Sequence, residues 1–156
     1  MPDASRDELR QAVAADAPAI RELTRAAYAK WIPLIGREPK PMGADYQAAL
    51  RDHRFDLLYR EGKLAALIET IVEPDHLLIE NLAVLPAYQG RGLGRRLMVH
   101  VEELAASQSF GEVRLYTNKL FAENVAFYEG LGYRVFKEEE WPGRGTAVHM
   151  SKAIGP

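Results

Sequence analysis

Apolar positions along the chain follow two periods, one helical and one extended. "LRQAVAAD" (Leu9 to Asp16) reads as a short strand that runs into a turn. In "APAIRELTRAAYAKW", Ile20, Leu23, Ala27 and Trp31 recur at helical spacing. Asp16 stands just ahead of Ala17 and Pro18, where an N-cap and a first-turn proline belong. A proline-broken stretch, "IPLIGREPKPMG", follows, and then a short helix over "ADYQAALRDH". From Phe55 the period changes: "FDLLYREGKLAALIETIVEPDHLLIENLAVL" holds three strand-like runs joined by "EG" and "EPD", as in an antiparallel meander. Leu93, Leu97, Val101, Leu104 and Ala105 then form one apolar helical stripe from about Leu93 to Ser107. "GEVRLYTN" is a strand, and "LFAENVAFYEG" is a helix with Gly130 placed as its left-handed terminal residue. Two more strands, "YRVFKEEE" and "GTAVHMSKAI", flank "WPGR".

That order, β-α-α-β-β-β-α-β-α-β-β, predicts an α/β (α+β) chain: one mixed, mostly antiparallel sheet flanked by helices, in a single domain over residues 1–156. A chain of this length buries about 70% of its unfolded surface and needs no staples. Charge and cysteine usage narrow the function. Lysine and arginine total 20 against 22 aspartates and glutamates, so the net charge of -2 offers no global pull on nucleic acid or on an anionic membrane. Cysteine is absent, which removes thiolate nucleophiles, cysteine zinc sites and disulfides together. No window approaches the ~18 consecutive apolar residues of a membrane span, and "MPDASRDELR" has no apolar signal core. The expectation is a soluble, cytoplasmic protein with no nucleic-acid or membrane partner. His53, His76, His100 and His149 show no metal-ligand spacing, and no metal is assigned.

One stretch asks for a ligand. "LPAYQGRGLGRRLM" puts Gly90, Gly92 and Gly94 with Arg91, Arg95 and Arg96 between a strand and a helix, with no Ser, Thr, Asp or Asn directly ahead of Leu93 to cap it. Unpaired N–H groups and the helix dipole make such an end attractive to anions, and cations there are unfavourable by ~0.3 to 1 kcal/mol each. Phosphate is the commonest anion found at such ends. A P-loop would need Lys-Ser/Thr where Arg95-Arg96 stand, and the dinucleotide fingerprint would need glycine at Arg95 or Leu97. Both fail. A glycine-rich turn with solvated arginines is the plainer alternative.

The same residues carry a family resemblance. "VLPAYQGRGLGRRLM" resembles the acyl-CoA-binding motif of the GNAT-type N-acetyltransferase superfamily, Gln/Arg-x-x-Gly-x-Gly/Ala, through Gln89, Gly92 and Gly94. "TNKLFAENVAFYEGLGYRV" looks like the family's later motif, in which an Asn precedes an "A-F-Y-x-x-L-G-Y/F" run. The specific residues lie between Glu80 and Tyr133, and the element order matches from Leu9 to Ile154. The resemblance implies the GNAT fold and acetyl transfer from acetyl-CoA to a primary amine by direct attack on the thioester. The alternative is a non-catalytic acyl-CoA sensor of the same fold.

Residue by residue, the resemblance places the pyrophosphate of acetyl-CoA on the backbone of Gln89, Gly90, Arg91, Gly92, Leu93, Gly94 and Arg95. The pantetheine arm then runs along Leu82, Ala83 and Val84, between splayed strands "HLLIENLAV" and "VRLYTN", with Asn124 bonding the arm. The oxyanion meets the N–H of Val84 or Leu82. Tyr128, four residues after Asn124 on one helix face, is the proton donor to the departing thiolate; ordinary packing beside Phe127 is the alternative. Glu80 interrupts an apolar strand, where a carboxylate is costly to bury and, once buried, becomes a better base. It serves as general base, directly or through water, or else points outward from a bulge marked by Asn81 and pairs with an arginine.

For the acceptor, the region between the first two helices supplies Tyr28, Trp31, Ile32, Met42 and Tyr46 as a lining, with Glu38 and Asp45 available for an ammonium group. Tyr28, Trp31 and Tyr46 are the substrate-binding candidates, for a small-molecule or peptide amine. The run Glu138-Glu139-Glu140 reads as a solvated strand end, with attraction of a cationic acceptor as the alternative. Dimers are frequent in the superfamily, so a homodimer is a further expectation.

Overall fold

The computed structural model describes residues 7–155. β1 (Asp7–Gln11) leads into α1 (Ala17–Tyr28), a short α2 (Ile32–Ile35) and α3 (Tyr46–Asp52). β2 (Arg54–Arg60), β3 (Lys63–Val72) and β4 (Leu77–Val84) follow, then α4 (Leu93–Ser107), β5 (Glu112–Asn118), α5 (Ala122–Gly130), β6 (Arg134–Trp141) and β7 (Gly145–Ala153). The strands form one mixed sheet in the order β1-β2-β3-β4-β5-β7-β6. The β4–β5 pair is parallel, through Leu77↔Val113, Leu78↔Arg114 and Ile79↔Leu115. The β1–β2, β2–β3, β5–β7 and β6–β7 pairs are antiparallel. Helix stripe and sheet class are those the periodicity implies, and the element order differs by one short helix, α2, inside the proline-broken stretch.

The chain divides into two compact units. One runs through Ile71 and adds Asn81–Met98; the other holds Val72–Glu80 and Val99 onward. The first is built on the amphipathic face of α1. Ile20, Leu23 and Ala27 pack with Tyr46 of α3, Phe55 and Leu57 of β2, Leu67 of β3 and Ala83 of β4. Tyr46 meets Phe55 edge to face, with ring centroids 5.9 Å apart. Glu61 and Gly62, both at positive φ, close the β2–β3 hairpin as a two-residue primed turn. In the second unit Val101 and Ala105 of α4, Val113 and Leu115 of β5, Tyr128 of α5, Tyr133, and Val148 and Met150 of β7 are all buried.

Two local expectations change. Asp16 does not cap α1 with its side chain; its carboxylate accepts the Val13 N–H at 2.8 Å and two bonds from Arg10, so it closes the 3-10 turn before the helix. Gly130 is not the left-handed residue of α5. Gly132 is, at φ +97°, with Tyr133 N–H on Tyr128 O and Gly132 N–H on Glu129 O, the two bonds of a Schellman motif. Along β4 burial alternates from Leu77 to Val84, with Glu80 half-buried and Asn81 buried. Among the described residues, no helix is long and apolar enough to cross a membrane.

Candidate active site

Backbone conformation builds the turn between β4 and α4. Pro86–Tyr88 form a 3-10 turn, with Tyr88 N–H on Leu85 O at 2.8 Å. Gly90 and Gly92 then take φ of +77° and +83°, and a Cβ at either would meet nothing within 4 Å. The left-handed backbone selects glycine, and the open space beside it admits a ligand to the amides. Arg96 N–H bonds Gly92 O at 3.0 Å, which leaves the N–H groups of Leu93, Gly94 and Arg95 in the first turn, where helix geometry gives them no acceptor. Gln89 braces the turn. Its Nε2 donates to Val84 O at 3.0 Å and its Oε1 accepts from Lys30 Nζ at 3.2 Å.

The three arginines differ. Arg95 is exposed, and Arg91 lies over the Tyr88 ring, 5.7 Å from its centroid. Arg96 already has an anion of its own: Asp7 Oδ2 at 2.8 Å, on an aspartate whose side chain is 1% exposed and which also holds Arg60 at 2.8 Å. The unfavourable cation expected at position 96 is therefore answered from within the chain. The Asp7 carboxyl is held below the usual carboxylate range, first by the Arg60 hydrogen bond and then by the charges of Arg60 and Arg96.

On β4, Ala83 is buried, and Leu82 and Val84 are half-buried on the other face. Two of their carbonyls are engaged: Val84 O by Gln89, and Leu82 O by the Tyr28 hydroxyl at 3.3 Å. The Tyr28 hydroxyl also donates to Asn81 Oδ1 at 2.7 Å. Glu80 is paired with a tyrosine rather than an arginine. Its Oε1 accepts the Tyr116 hydroxyl proton at 2.5 Å.

Asn124 and Tyr128 sit one turn apart on α5, the first half-buried and the second buried. The Tyr128 ring lies edge-on to Phe127 at 5.2 Å and to Tyr133 at 6.2 Å. Burial pushes the Tyr128 phenol well above its ordinary value, so it keeps its proton at neutral pH. Tyr133 is pushed the same way, by burial and then by Glu102, to which it donates at 3.0 Å.

The acceptor candidates divide. Tyr28 is half-buried and Trp31 buried, and Tyr46 packs in the core cluster with its hydroxyl on Pro41 O at 2.6 Å. Met42 is buried as well. Glu38 is taken by Arg25 at 2.8 Å, and Asp45 caps α3 by accepting from Gln47 and Ala48 N–H. Neither is disposed for an ammonium group. Glu139 is not merely solvated either: it accepts from Trp141 Nε1 at 2.9 Å and pairs with His149 Nε2 at 3.1 Å. Sequence reasoning passed over Asp7 and Tyr116 and read Glu139 as solvated; the partners of all three are set by strand register and long-range pairing. Among the described residues, no group of three or more metal-ligating side chains stands together.

The sequence profile described as Acetyltransferase (GNAT) family matches residues 17–133. The chain belongs to that family. It is therefore an acetyltransferase, and the acetyl-CoA-dependent N-acetyl transfer expected from the sequence stands on this membership. The [ribosomal protein bS18]-alanine N-acetyltransferase of Escherichia coli strain K12 is 32% identical over 102 residues, which cover 62% of this chain and 69% of that one. The crystal structure of the ribosomal-protein-S18-alanine N-acetyltransferase from Escherichia coli superposes with a TM-score of 0.79 at 24% identity, over 96% of this chain and 95% of that one. The PaiA N-acetyltransferase of Thermoplasma acidophilum, solved in complex with coenzyme A, gives a TM-score of 0.78 at 18% identity over 94% and 98%. At these identities the two structures speak for the GNAT fold.

Proposed function

We propose that this acetyltransferase modifies the free α-amino group at the start of a polypeptide, within a single catalytic domain. Support for the acceptor comes from the bS18-alanine relative, 32% identical over the matched residues. Alanine has no side-chain nitrogen, so the amine acetylated by that relative is an α-amino group. Support for the donor site comes from the turn itself, where two glycines at positive φ leave open space beside the first amides of α4. That opening is the observation that carries the reading, because the chain sacrifices an ordinary capping residue to make it.

On this reading the backbone of Gln89–Arg95 takes the diphosphate, and Leu82, Ala83, Val84 and Asn124 align the pantetheine arm. Glu80 takes a proton from the ammonium group, and the neutral amine attacks the thioester carbonyl. The N–H of Leu82 or Val84 meets the oxyanion. Tyr128 then gives its proton to the sulfur as the C–S bond breaks. A phenol that burial keeps protonated suits an acid and not a base. Tyr28 and Trp31 are the residues we assign to the acceptor; the core position of Tyr46 gives it a supporting role.

A thermal-shift panel of acetyl-CoA, CoA, ATP and NAD tests the donor, since a ligand at about 100 times its dissociation constant adds ~2.7 kcal/mol of stability. Acetyl-CoA and CoA are expected to stabilise. Stabilisation by ATP or NAD without CoA overturns the reading. Thiol release is then followed over an acceptor panel: hexapeptides with a free N-terminal alanine, the same peptides Nα-blocked but bearing lysine, and small amines. Turnover of the blocked lysine peptides alone would sink the α-amino assignment. Binding of acetyl-CoA without turnover of any amine would favour the sensor.

A further inference from the structure

Glu80, Tyr116 and His149 stand in a row across three neighbouring strands. The β4–β5 register places Ile79 beside Leu115, so Glu80 and Tyr116 follow on the next position of each strand, and Tyr116 is opposite His149 on β7. The Tyr116 hydroxyl donates to Glu80 Oε1 at 2.5 Å. Its ring is gripped from the far side: Trp141 meets it edge to face at 5.3 Å, and His149 lies 5.9 Å away. Phe136 and Trp141 in turn flank His149 at 6.1 and 6.3 Å. Glu139 ties this cluster together, accepting from Trp141 Nε1 and meeting His149 Nε2. A carboxylate only accepts, so His149 carries a proton on Nε2. These hydrogen bonds, Trp141 first, hold the Glu139 carboxyl below its ordinary value.

We propose that Tyr116 is a positioning residue for Glu80, held in place by the ring cluster that Glu139 anchors. The inference rests on the reading of Glu80 as general base. A glutamate has three rotatable side-chain bonds, yet a base must stay within hydrogen-bond reach of the proton it takes. Tyr116 removes that freedom from one end. With its ring clamped by neighbours, its O–H fixes Oε1 and leaves Oε2 as the oxygen that accepts the ammonium proton. Tyr116 itself keeps its proton throughout. The acidic run at Glu138–Glu140 thereby gains a function, because its middle member is the far anchor of the base.

A double-mutant cycle tests this, with acetyl-CoA and whichever acceptor of the panel turns over fastest. Tyr116→Phe keeps the ring in the cluster and loses only the hydroxyl. It is expected to lower kcat about 10-fold with the KM for acetyl-CoA within twofold, and Glu80→Gln to lower kcat about 100-fold. The double variant should be no slower than Glu80→Gln alone, because a positioning residue has nothing left to position. Glu139→Gln should cost about threefold when Glu80 is present and nothing when it is not. Multiplicative losses of about 1000-fold in the Tyr116–Glu80 double variant, or a Tyr116→Phe enzyme at the wild-type rate, overturn the inference and leave the base in place. An equal Glu139→Gln loss in both backgrounds overturns the anchor. Full activity in Glu80→Gln, or no turnover of any acceptor, overturns the reading of the base and this inference with it.

Discussion

The turn that starts α4 and the ring cluster around Tyr116 hold their working groups in opposite ways. In the turn, Gly90 and Gly92 carry no side chain, and the groups on offer are backbone amides fixed by φ and ψ. In the cluster, the strand backbone is ordinary and everything depends on side chains bracing one another: Glu139 on Trp141 and His149, these on Tyr116, and Tyr116 on Glu80. The first arrangement suits a diphosphate, whose charge is spread over several oxygens and tolerates small shifts. The second suits a proton transfer, where an error of an ångström is costly. Binding and chemistry should therefore respond to different substitutions, affinity at the turn and turnover at the side chains.

The sharpest way to break that division is Tyr128→Phe. The phenol hydroxyl is lost while the ring keeps its places on Phe127 and Tyr133. The expected outcome is a fall in kcat of about 100-fold, with the dissociation constant for acetyl-CoA unchanged, read by steady-state thiol release and calorimetric titration. A loss confined to affinity would move Tyr128 from the chemistry to the binding side.

What was legible in the sequence follows the same line. Helix α4 declared itself through a stripe from Leu93 to Ala105, the meander through its alternation and "EG" turn, and the turn before α4 through glycines at fixed offsets. All of these are local properties of the backbone. Glu80 stood out because an acid in an apolar run is conspicuous, but its partner could not be read. Tyr116, 36 positions away, becomes its neighbour only through the parallel register of β4 and β5. Asp7 and Arg96, 89 positions apart, were hidden for the same reason, and with them the fact that one of the three arginines already has its anion. Gly130 and Gly132 show a finer limit. Both glycines end the same helix, and only the Schellman bonds to Tyr128 and Glu129 decide which takes the left-handed conformation.

The root of the turn gives the next largest effect. Asp7→Asn removes the charge that holds Arg60 and Arg96, and breaking a buried pair of this kind costs about 3 kcal/mol. Because the folded carboxyl lies below its unfolded value, its contribution is complete above about pH 4 and is lost as the pH falls through the folded value. Thermal midpoints measured from pH 7 to pH 2 should converge between wild type and variant at the acid end. A constant gap across that range would show that the carboxylate charge contributes nothing.

The smallest effect tests the turn itself. Gly92 has φ +83° and open space where a Cβ would go, so Gly92→Ala introduces no clash and its cost is backbone strain alone. That strain is about 1 kcal/mol, whether it lowers the stability of the turn or shifts it away from the ligand-binding form. The KM for acetyl-CoA should rise about fivefold with kcat unchanged. Gly43→Ala provides the control, since Gly43 also has open space around its Cβ position but no positive φ; there the same substitution should leave KM alone and add a few tenths of a kcal/mol of stability. If Gly92→Ala instead lowered kcat and spared KM, the turn would be acting on the chemistry, and the separation of backbone for binding from side chains for proton transfer would fail.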